Sequence, residues 1–269
     1  MDNGRMAGQV AWISGGASGI GEAVAELFAA EGAQVAIADV QTERGEAVAA
    51  RIRDAGGDAH FSPCDVARPE QVQASVEETV VRFGSLQTVV NCAGTVHVGP
   101  LDELAVAAWD ALMNVNLRSI FLAVKYAMPH LRRHRRSYVV NVGSVSGFVG
   151  QALTPGYIAS KHGVIGLTRA IALDYAADGV RCNCICPGIT DTPMLRYHLS
   201  TLPDPDAALT ERLRRVPMGV AMAPLDIARA ARYLACEDSS GVTGTTLTVD
   251  GGYTATAEWS HPDRTRFME

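Results

Sequence analysis

Short apolar runs alternate along the chain with longer stretches in which apolar residues recur every three to four positions. Val10–Ser14 is apolar almost throughout and runs into Gly15-Gly16, the pattern of a parallel strand buried on both faces and ended by a turn. From Gly19 to Ala30, Ile20, Val24, Leu27 and Phe28 fall on one side of a helix. The pattern then predicts a strand over 34–38 ended by Asp39, a helix over 43–55 and a weaker strand over 60–64. Next come a helix opened by Pro69 and reaching Phe83, and a strand over 88–91. A long helix over 107–130, a strand over 138–142, a helix over 157–175, a strand over 180–186, a helix over 224–236 and a strand over 246–249 complete the series.

Parallel strands need crossover connections, and helices supply them. The expected fold is therefore α/β: a doubly wound, mostly parallel, Rossmann-like sheet of about seven strands with helices on both faces. With 269 residues, 48% of them hydrophobic, and no linker, repeat or low-complexity tract, the chain reads as one domain. Residues 193–222, which carry Met194, Leu195, Tyr197, Leu199 and Leu202 and then Pro203-Asp204-Pro205, read as a long loop acting as a substrate lid; residues 253–269 read as a C-terminal tail or an arm onto a neighbouring subunit.

Composition narrows the partners. A formal charge of −6 speaks against nucleic acid, and the run Arg132-Arg133-His134-Arg135-Arg136 reads as a solvated helix end. The N-terminal layout is not that of a signal peptide, no apolar run reaches membrane-spanning length, and the six cysteines read as free thiols. The expectation is a soluble cytoplasmic protein with no membrane partner.

The segment Ser14-Gly15-Gly16-Ala17-Ser18-Gly19-Ile20-Gly21 joins the first strand to the first helix. Glycines let the backbone approach a pyrophosphate, and the helix start offers free N–H groups and a positive dipole end. Gly15, Gly19 and Gly21 are the expected contacts, with Ser18 and Ile20 between them; the spacing is G-x-x-x-G-x-G. Asp39 follows Gly21 by 18 residues. A carboxylate there accepts bonds from both ribose hydroxyls and repels a 2′-phosphate, and Ala17, Ser18 and Val40 are not basic, so NAD is the expected cofactor.

Tyr157 and Lys161 stand at i and i+4 of one helix, hence on one face. Ser144 closes the fifth strand, and Asn116 lies in the preceding long helix. With these residues the chain resembles a short-chain dehydrogenase/reductase of the short-subunit type. The matching pieces are the glycine-rich turn, Cys64-Asp65-Val66, Asn91-Cys92-Ala93-Gly94, Asn116, Ser144, Tyr157-x-x-x-Lys161, Pro187-Gly188 with Thr192, and Asp250-Gly251-Gly252. They keep the family's order from about residue 8 to 253.

The resemblance implies that Tyr157 is the general acid/base. A tyrosine is a weak acid, and the Lys161 ammonium would favour its phenolate. It further implies that Lys161 bonds the nicotinamide ribose, that Ser144 holds the substrate oxygen, and that Asn116 supports a water in a proton relay. Asp65 and Val66 would hold the adenine, Asn91, Ala93 and Gly94 would run along the adenosine, and Pro187, Gly188, Ile189 and Thr192 would line the nicotinamide. A homotetramer built on the two long helices is also implied.

Three residues depart from the family pattern. Ser14 replaces Thr, Cys92 replaces Asn and brings an oxidation-sensitive thiol, and Gly143 replaces Ser and is expected to loosen the turn before Ser144. Cys182, Cys184 and Cys186 share one strand face; their spacing reads as too wide for one tetrahedral ion, so they are assigned to the core and no metal is expected. His97 and His198 are candidates to line the substrate cleft, and His162 is read as structural.

The expected activity is interconversion of a secondary alcohol and a ketone with NAD. The apolar residues of 193–222, with Val96, Gln151 and Leu153, suggest a hydrophobic and cyclic substrate. The alternatives are a 3-oxoacyl reductase, which usually takes NADPH, and a non-catalytic NAD-binding regulator on the same fold.

Overall fold

Val10 and Trp12 point to one face of their strand and Ala11 and Ile13 to the other, and all four are buried. This double burial is why the run is continuously apolar, and it repeats along the sheet. The computed structural model describes residues 4–256. Of the expected tail, residues 257–269, including Trp259, Pro262 and Phe267, lie outside the described residues; Tyr253–Ala255 forms a short 3₁₀ turn.

The elements in chain order are β1 (Val10–Ser14), α1 (Gly19–Ala30), β2 (Gln34–Asp39), α2 (Thr42–Asp54), β3 (Asp58–Pro63), α3 (Pro69–Phe83) and β4 (Thr88–Asn91). They continue with α4 (Val106–Met113), α5 (Ser119–Leu131), β5 (Ser137–Val142), α6 (Pro155–Asp174), β6 (Val180–Pro187), α7 (Pro193–Ser200), α8 (Pro205–Arg214), α9 (Pro224–Leu234) and β7 (Thr246–Val249). The strands form one parallel seven-stranded sheet in the order β3-β2-β1-β4-β5-β6-β7. The order reverses between β1 and β4. In sheets of this type ligands bind at such a reversal, beyond the carboxyl ends of the strands. The architecture is the doubly wound, Rossmann-like one expected.

Each face has its own core. One packs α1, α2 and α9 through Val24, Phe28, Val48, Ile52, Ile227 and Leu234. The other packs α3, α5 and α6 through Val72, Val76, Ile120, Leu131, Val164 and Ile171. Trp12 spans from β1 to α3 and donates its indole N–H to Ser75 Oγ at 2.9 Å, which satisfies a buried donor.

Two elements differ from the sequence expectation. The long helix is interrupted by a π turn over Asn114–Arg118, between α4 and α5. The lid region is not a loop but two helices, α7 and α8. Each begins with a local signal: Thr192 before Pro193 and Asp204 before Pro205, the proline occupying the first helical position. Thr192 Oγ1 accepts from Leu195 N at 3.3 Å, and Asp204 Oδ1 from Ala207 N at 2.9 Å. The excursion leaves and returns at one point, because Met222 N donates to Ile189 O and Asp191 N to Met222 O, at 2.8 and 3.0 Å.

Candidate active site

The β1–α1 turn is held by packing. A Cβ on Gly21 would lie 2.1 Å from Gly15 O, and one on Gly15 would lie 2.7 Å from Ala93 N; Gly15 also has φ +67°. These two glycines are therefore required by the close approach of the turn to itself and to the β4 loop. Gly19 differs: with φ +58°, its Cβ would meet only Thr192 and Pro193, at 3.4–3.5 Å. Ser18 stands at the N-cap of α1, yet its hydroxyl makes no capping bond. The free N–H groups of the first turn, a serine hydroxyl that makes no capping bond and the dipole end of α1 fit a pyrophosphate. Ile20 packs partly buried against the α1-side core.

Asp39 is buried at the end of β2. Its Oδ2 accepts from Ala17 N at 3.0 Å and its Oδ1 from Gln41 N at 3.0 Å, so the carboxylate ties the glycine-rich turn to the start of α2. Gln41 in turn accepts from Arg44 at 3.0 Å, which leaves that guanidinium one side chain away from Asp39. After β3, Asp65 Oδ1 accepts from Ala67 N at 2.9 Å and its carboxylate faces Arg68 at 3.4 Å, while Val66 is buried. Asn91 turns its side chain into the sheet, donating to Asn141 Oδ1 at 2.8 Å, and Asn141 donates on to Thr168 Oγ1 of α6 at 2.9 Å.

Beyond β5 the polar groups converge. Lys161 is buried, and its Nζ donates to Val142 O at 2.8 Å and stands 5.5 Å from the centre of the Tyr157 ring. Ser144 Oγ accepts from Ser146 N at 3.1 Å, and Ser146 Oγ donates to Gln151 at 3.4 Å. Asn116, in the π turn, accepts from Thr95 N at 2.8 Å and donates to Thr95 O and Ser160 Oγ at 2.9 and 3.1 Å. Ser160 Oγ donates to Tyr157 O at 2.7 Å. Gly94 lies among them: a Cβ there would meet Asn116 Oδ1, Met194 Cε and Lys161 Nζ at 3.6–3.9 Å. The sequence reading named Ser144, Tyr157, Lys161 and Asn116, but gave no role to Thr95, Ser146 or Ser160, which hold them. The signal for Ser160 was its place beside Lys161 on α6.

The segment after β6 closes the site's other side. Gly188 N donates to Val249 O at 3.0 Å, and a Cβ on Gly188 would lie 2.7 Å from Asp250 Cβ. Burial pushes Asp250 up, but bonds from Thr254 Oγ1, Thr254 N and Gly252 N, at 2.7–2.9 Å, outweigh it and hold its carboxyl below the usual range. Pro187 is buried at the strand end, and Ile189 pairs with Met222.

Some expectations about single residues need correction. Gly143 does not loosen its turn. Its N–H bonds Ile185 O at 2.7 Å, and the place of a Cβ is filled by Cys184 Sγ at 2.6 Å and Cys186 Sγ at 3.2 Å. The Cys184 and Cys186 sulfurs are themselves 3.9 Å apart, closer than strand spacing suggests, because side-chain rotation brings same-face neighbours together. All three β6 cysteines are fully buried, and their hydrogen-bond partners include Asn141 for Cys182. Cys92 keeps some exposure, yet burial around its sulfur pushes the thiol up to about 12 against the opposing pull of Lys161, so little thiolate forms near neutrality. His198 joins α7 to α8 through Arg212 at 3.3 Å, and burial and that cation hold it below the usual histidine range. His162 is exposed and bonds Ile158 O at 2.9 Å.

The chain is similar to known proteins along nearly its whole length. A family model described as enoyl-(acyl carrier protein) reductase matches residues 15–254. The chain is 38% identical over 249 residues to 2,5-dichloro-2,5-cyclohexadiene-1,4-diol dehydrogenase LinX of Sphingobium indicum, covering 93% of this chain and 97% of that one. It is 35% identical over 253 residues to a 3-alpha-(or 20-beta)-hydroxysteroid dehydrogenase of Mycobacterium tuberculosis, covering 94% and 92%. The crystal structure of levodione reductase superposes with a TM-score of 0.90 at 33% identity, covering 93% of this chain and 99% of that one. Its relatives are dehydrogenases and reductases, and this family generally uses a nicotinamide cofactor. By sequence order, sheet topology and relatives alike, the chain belongs to the short-chain dehydrogenase/reductase family.

Proposed function

We propose that this chain is an NAD-dependent dehydrogenase that interconverts a secondary alcohol and a ketone on a hydrophobic, cyclic substrate. The observation that carries the reading is the convergence of Ser144, Tyr157 and Lys161 beyond the end of β5, in a sheet whose strand order reverses between β1 and β4. A bound nicotinamide dinucleotide would accept or supply the hydride.

The protein's own part is orientation and proton transfer. Ser144 holds the substrate oxygen, and Tyr157 takes its proton during oxidation or returns it during reduction. The Lys161 ammonium, anchored on Val142 O and 5.5 Å from the centre of the Tyr157 ring, bonds the nicotinamide ribose. The Asn116 side chain is engaged with Thr95 and Ser160, so its support of a relay water falls to its main-chain carbonyl.

For the cofactor, the α1 start with Gly15, Ser18, Gly19, Ile20 and Gly21 takes the pyrophosphate, and Asp39 takes the ribose hydroxyls and disfavours a 2′-phosphate. Asp65 and Val66 hold the adenine, Asn91, Ala93 and Gly94 run along the adenosine, and Pro187, Gly188, Ile189 and Thr192 line the nicotinamide. α7 and α8 form the lid, with Leu195 and the exposed Tyr197 on its apolar surface. Names of the relatives, a cyclic diol dehydrogenase and a hydroxysteroid dehydrogenase, support a cyclic substrate.

The test is cofactor reduction, read at 340 nm, by the purified protein with cyclic, aromatic and aliphatic secondary alcohols, each with NAD and NADP. Turnover of cyclic alcohols with NAD is expected; none with any alcohol would overturn the reading.

The homotetramer is proposed on the face made by α4, the π turn, α5 and α6. There a groove of about 560 Å³ runs past Met113, Leu117, Phe121, Gly163 and Leu167, with Phe121 and Leu173 exposed. Sedimentation equilibrium would give four chains; a monomer would exclude it.

A further inference from the structure

The loop from β5 to α6 carries a carboxamide that the chemistry above does not use. Gln151 stands between Ser144 and Tyr157 in the chain, and hydrogen bonds tie it toward both. On the Ser144 side, Ser146 N donates to Ser144 Oγ at 3.1 Å, and Ser146 Oγ donates to Gln151 Oε1 at 3.4 Å. On the Tyr157 side, the Thr154 hydroxyl donates to Gln151 O at 3.3 Å. Thr154 is the N-cap of α6, and Tyr157 lies in the first turn of that helix. Two hydrogen bonds and the width of one serine therefore separate the Gln151 carboxamide from Ser144 Oγ, a distance of no more than about 10 Å. A six-membered ring with oxygens on opposite carbons, plus one hydrogen bond, has a comparable reach.

The carboxamide is also open to a ligand. Ser146 is buried, so the anchor is shielded from water, whereas Gln151 is exposed. Its Oε1 is engaged by Ser146, and its amide N–H groups have no partner among the described residues. The loop that presents it is fixed. Leu153 takes φ +60°, a left-handed conformation that leucine rarely adopts, and its carbonyl accepts from Gly99 N, in the loop after β4, at 2.7 Å. Such strain persists where surrounding contacts over-determine it, and it collects at ligand clamps. Phe148 and Leu153 of the same loop are exposed apolar side chains. Among apolar neighbours, a placed polar group fixes which way a ligand lies.

We propose that Gln151 is a specificity-determining residue whose amide N–H donates to a second oxygen of the substrate, while Ser144 and Tyr157 hold the reacting one. The protein then favours cyclic diols and hydroxyketones over cyclic alcohols with a single oxygen. The inference rests on the alcohol dehydrogenase reading. An exposed amide gives up water to make this bond, so the gain is that of one ordinary hydrogen bond.

The test compares kcat/KM for cyclohexanol and for cyclohexane-1,2-, 1,3- and 1,4-diol, with whichever of NAD and NADP the wild type turns over. The expected result is a preference of about five- to tenfold for at least one diol. Gln151→Leu, which keeps the bulk and loses the donor, should lower kcat/KM for that diol by the same factor and move cyclohexanol by less than about twofold. Gln151→Glu keeps the length and an acceptor but cannot donate when ionised, so it should lose the preference as well; a role in filling space would leave it. A wild type that favours no diol, a preference surviving in either variant, or an equal fall for diol and cyclohexanol would overturn the proposal and leave the dehydrogenase reading standing. No oxidation of any alcohol with either cofactor would overturn that reading, and this inference with it.

Discussion

Lys161 Nζ donates a 2.8 Å hydrogen bond to the main-chain carbonyl of Val142, the last residue of β5. A lysine on α6 is thereby fixed to the strand end that carries Ser144, so its ammonium cannot swing away from Tyr157. The buried cation is placed by the sheet rather than by the helix alone.

Tyr157→Phe removes the proton-transfer group and keeps the ring. Turnover should fall by about a hundredfold to ten-thousandfold, while the dissociation constant for NADH, read by fluorescence, stays within about twofold of wild type. Lys161→Met should lower turnover and also weaken NADH binding. Unchanged turnover in Tyr157→Phe would remove it from the mechanism.

Asp39 has two duties that different substitutions separate. Its carboxylate accepts from Ala17 N, and in the proposed function its charge faces the ribose. Asp39→Asn keeps an acceptor and loses the charge, so the preference for NAD over NADP should fall by about a hundredfold, like-charge contacts being worth several kcal/mol. Arg44, linked through Gln41, is then a cation available to a 2′-phosphate. Asp39→Ala should relax the preference similarly and also cost ~1–3 kcal/mol in thermal unfolding, because Ala17 N loses its partner. Equal preference in wild type and Asp39→Asn would refute the ribose assignment.

Gly143 and Cys184 are 41 positions apart in sequence, yet they share one space. Gly143→Ser, which restores the residue usual in the resembling family, drives a Cβ to 2.6 Å from Cys184 Sγ and should destabilise the protein by ~1–3 kcal/mol. Adding Cys184→Ala opens that space, so the double variant should recover much of the loss. Denaturant unfolding of the four proteins gives the coupling; strictly additive effects would show that the two sites do not interact.

What the sequence determined by itself was whatever is encoded locally. Double burial writes β1 as an unbroken apolar run, and one-sided burial writes α1 and α3 as periodic ones, so the alternation and the sheet class follow. The glycine-rich turn, the Asp39 strand end and the Tyr157-to-Lys161 spacing are legible for the same reason: each needs only neighbours along the chain. The α7 and α8 starts are equally local, in Thr192-Pro193 and Asp204-Pro205, since a capping side chain followed by proline opens a helix.

The tertiary structure decided everything that depends on residues meeting from afar. A π turn leaves no mark on a helical pattern, and it orients Asn116 toward Thr95 and Ser160. Gly143 reads as a loss until β6 supplies the sulfurs that fill its space. Histidines 97 and 198 look alike as loop residues; packing gives the second an arginine partner and leaves a buried nitrogen of the first without one among the described residues. Periodicity fixes which face is buried, but only the packed chain fixes what each buried polar group meets there.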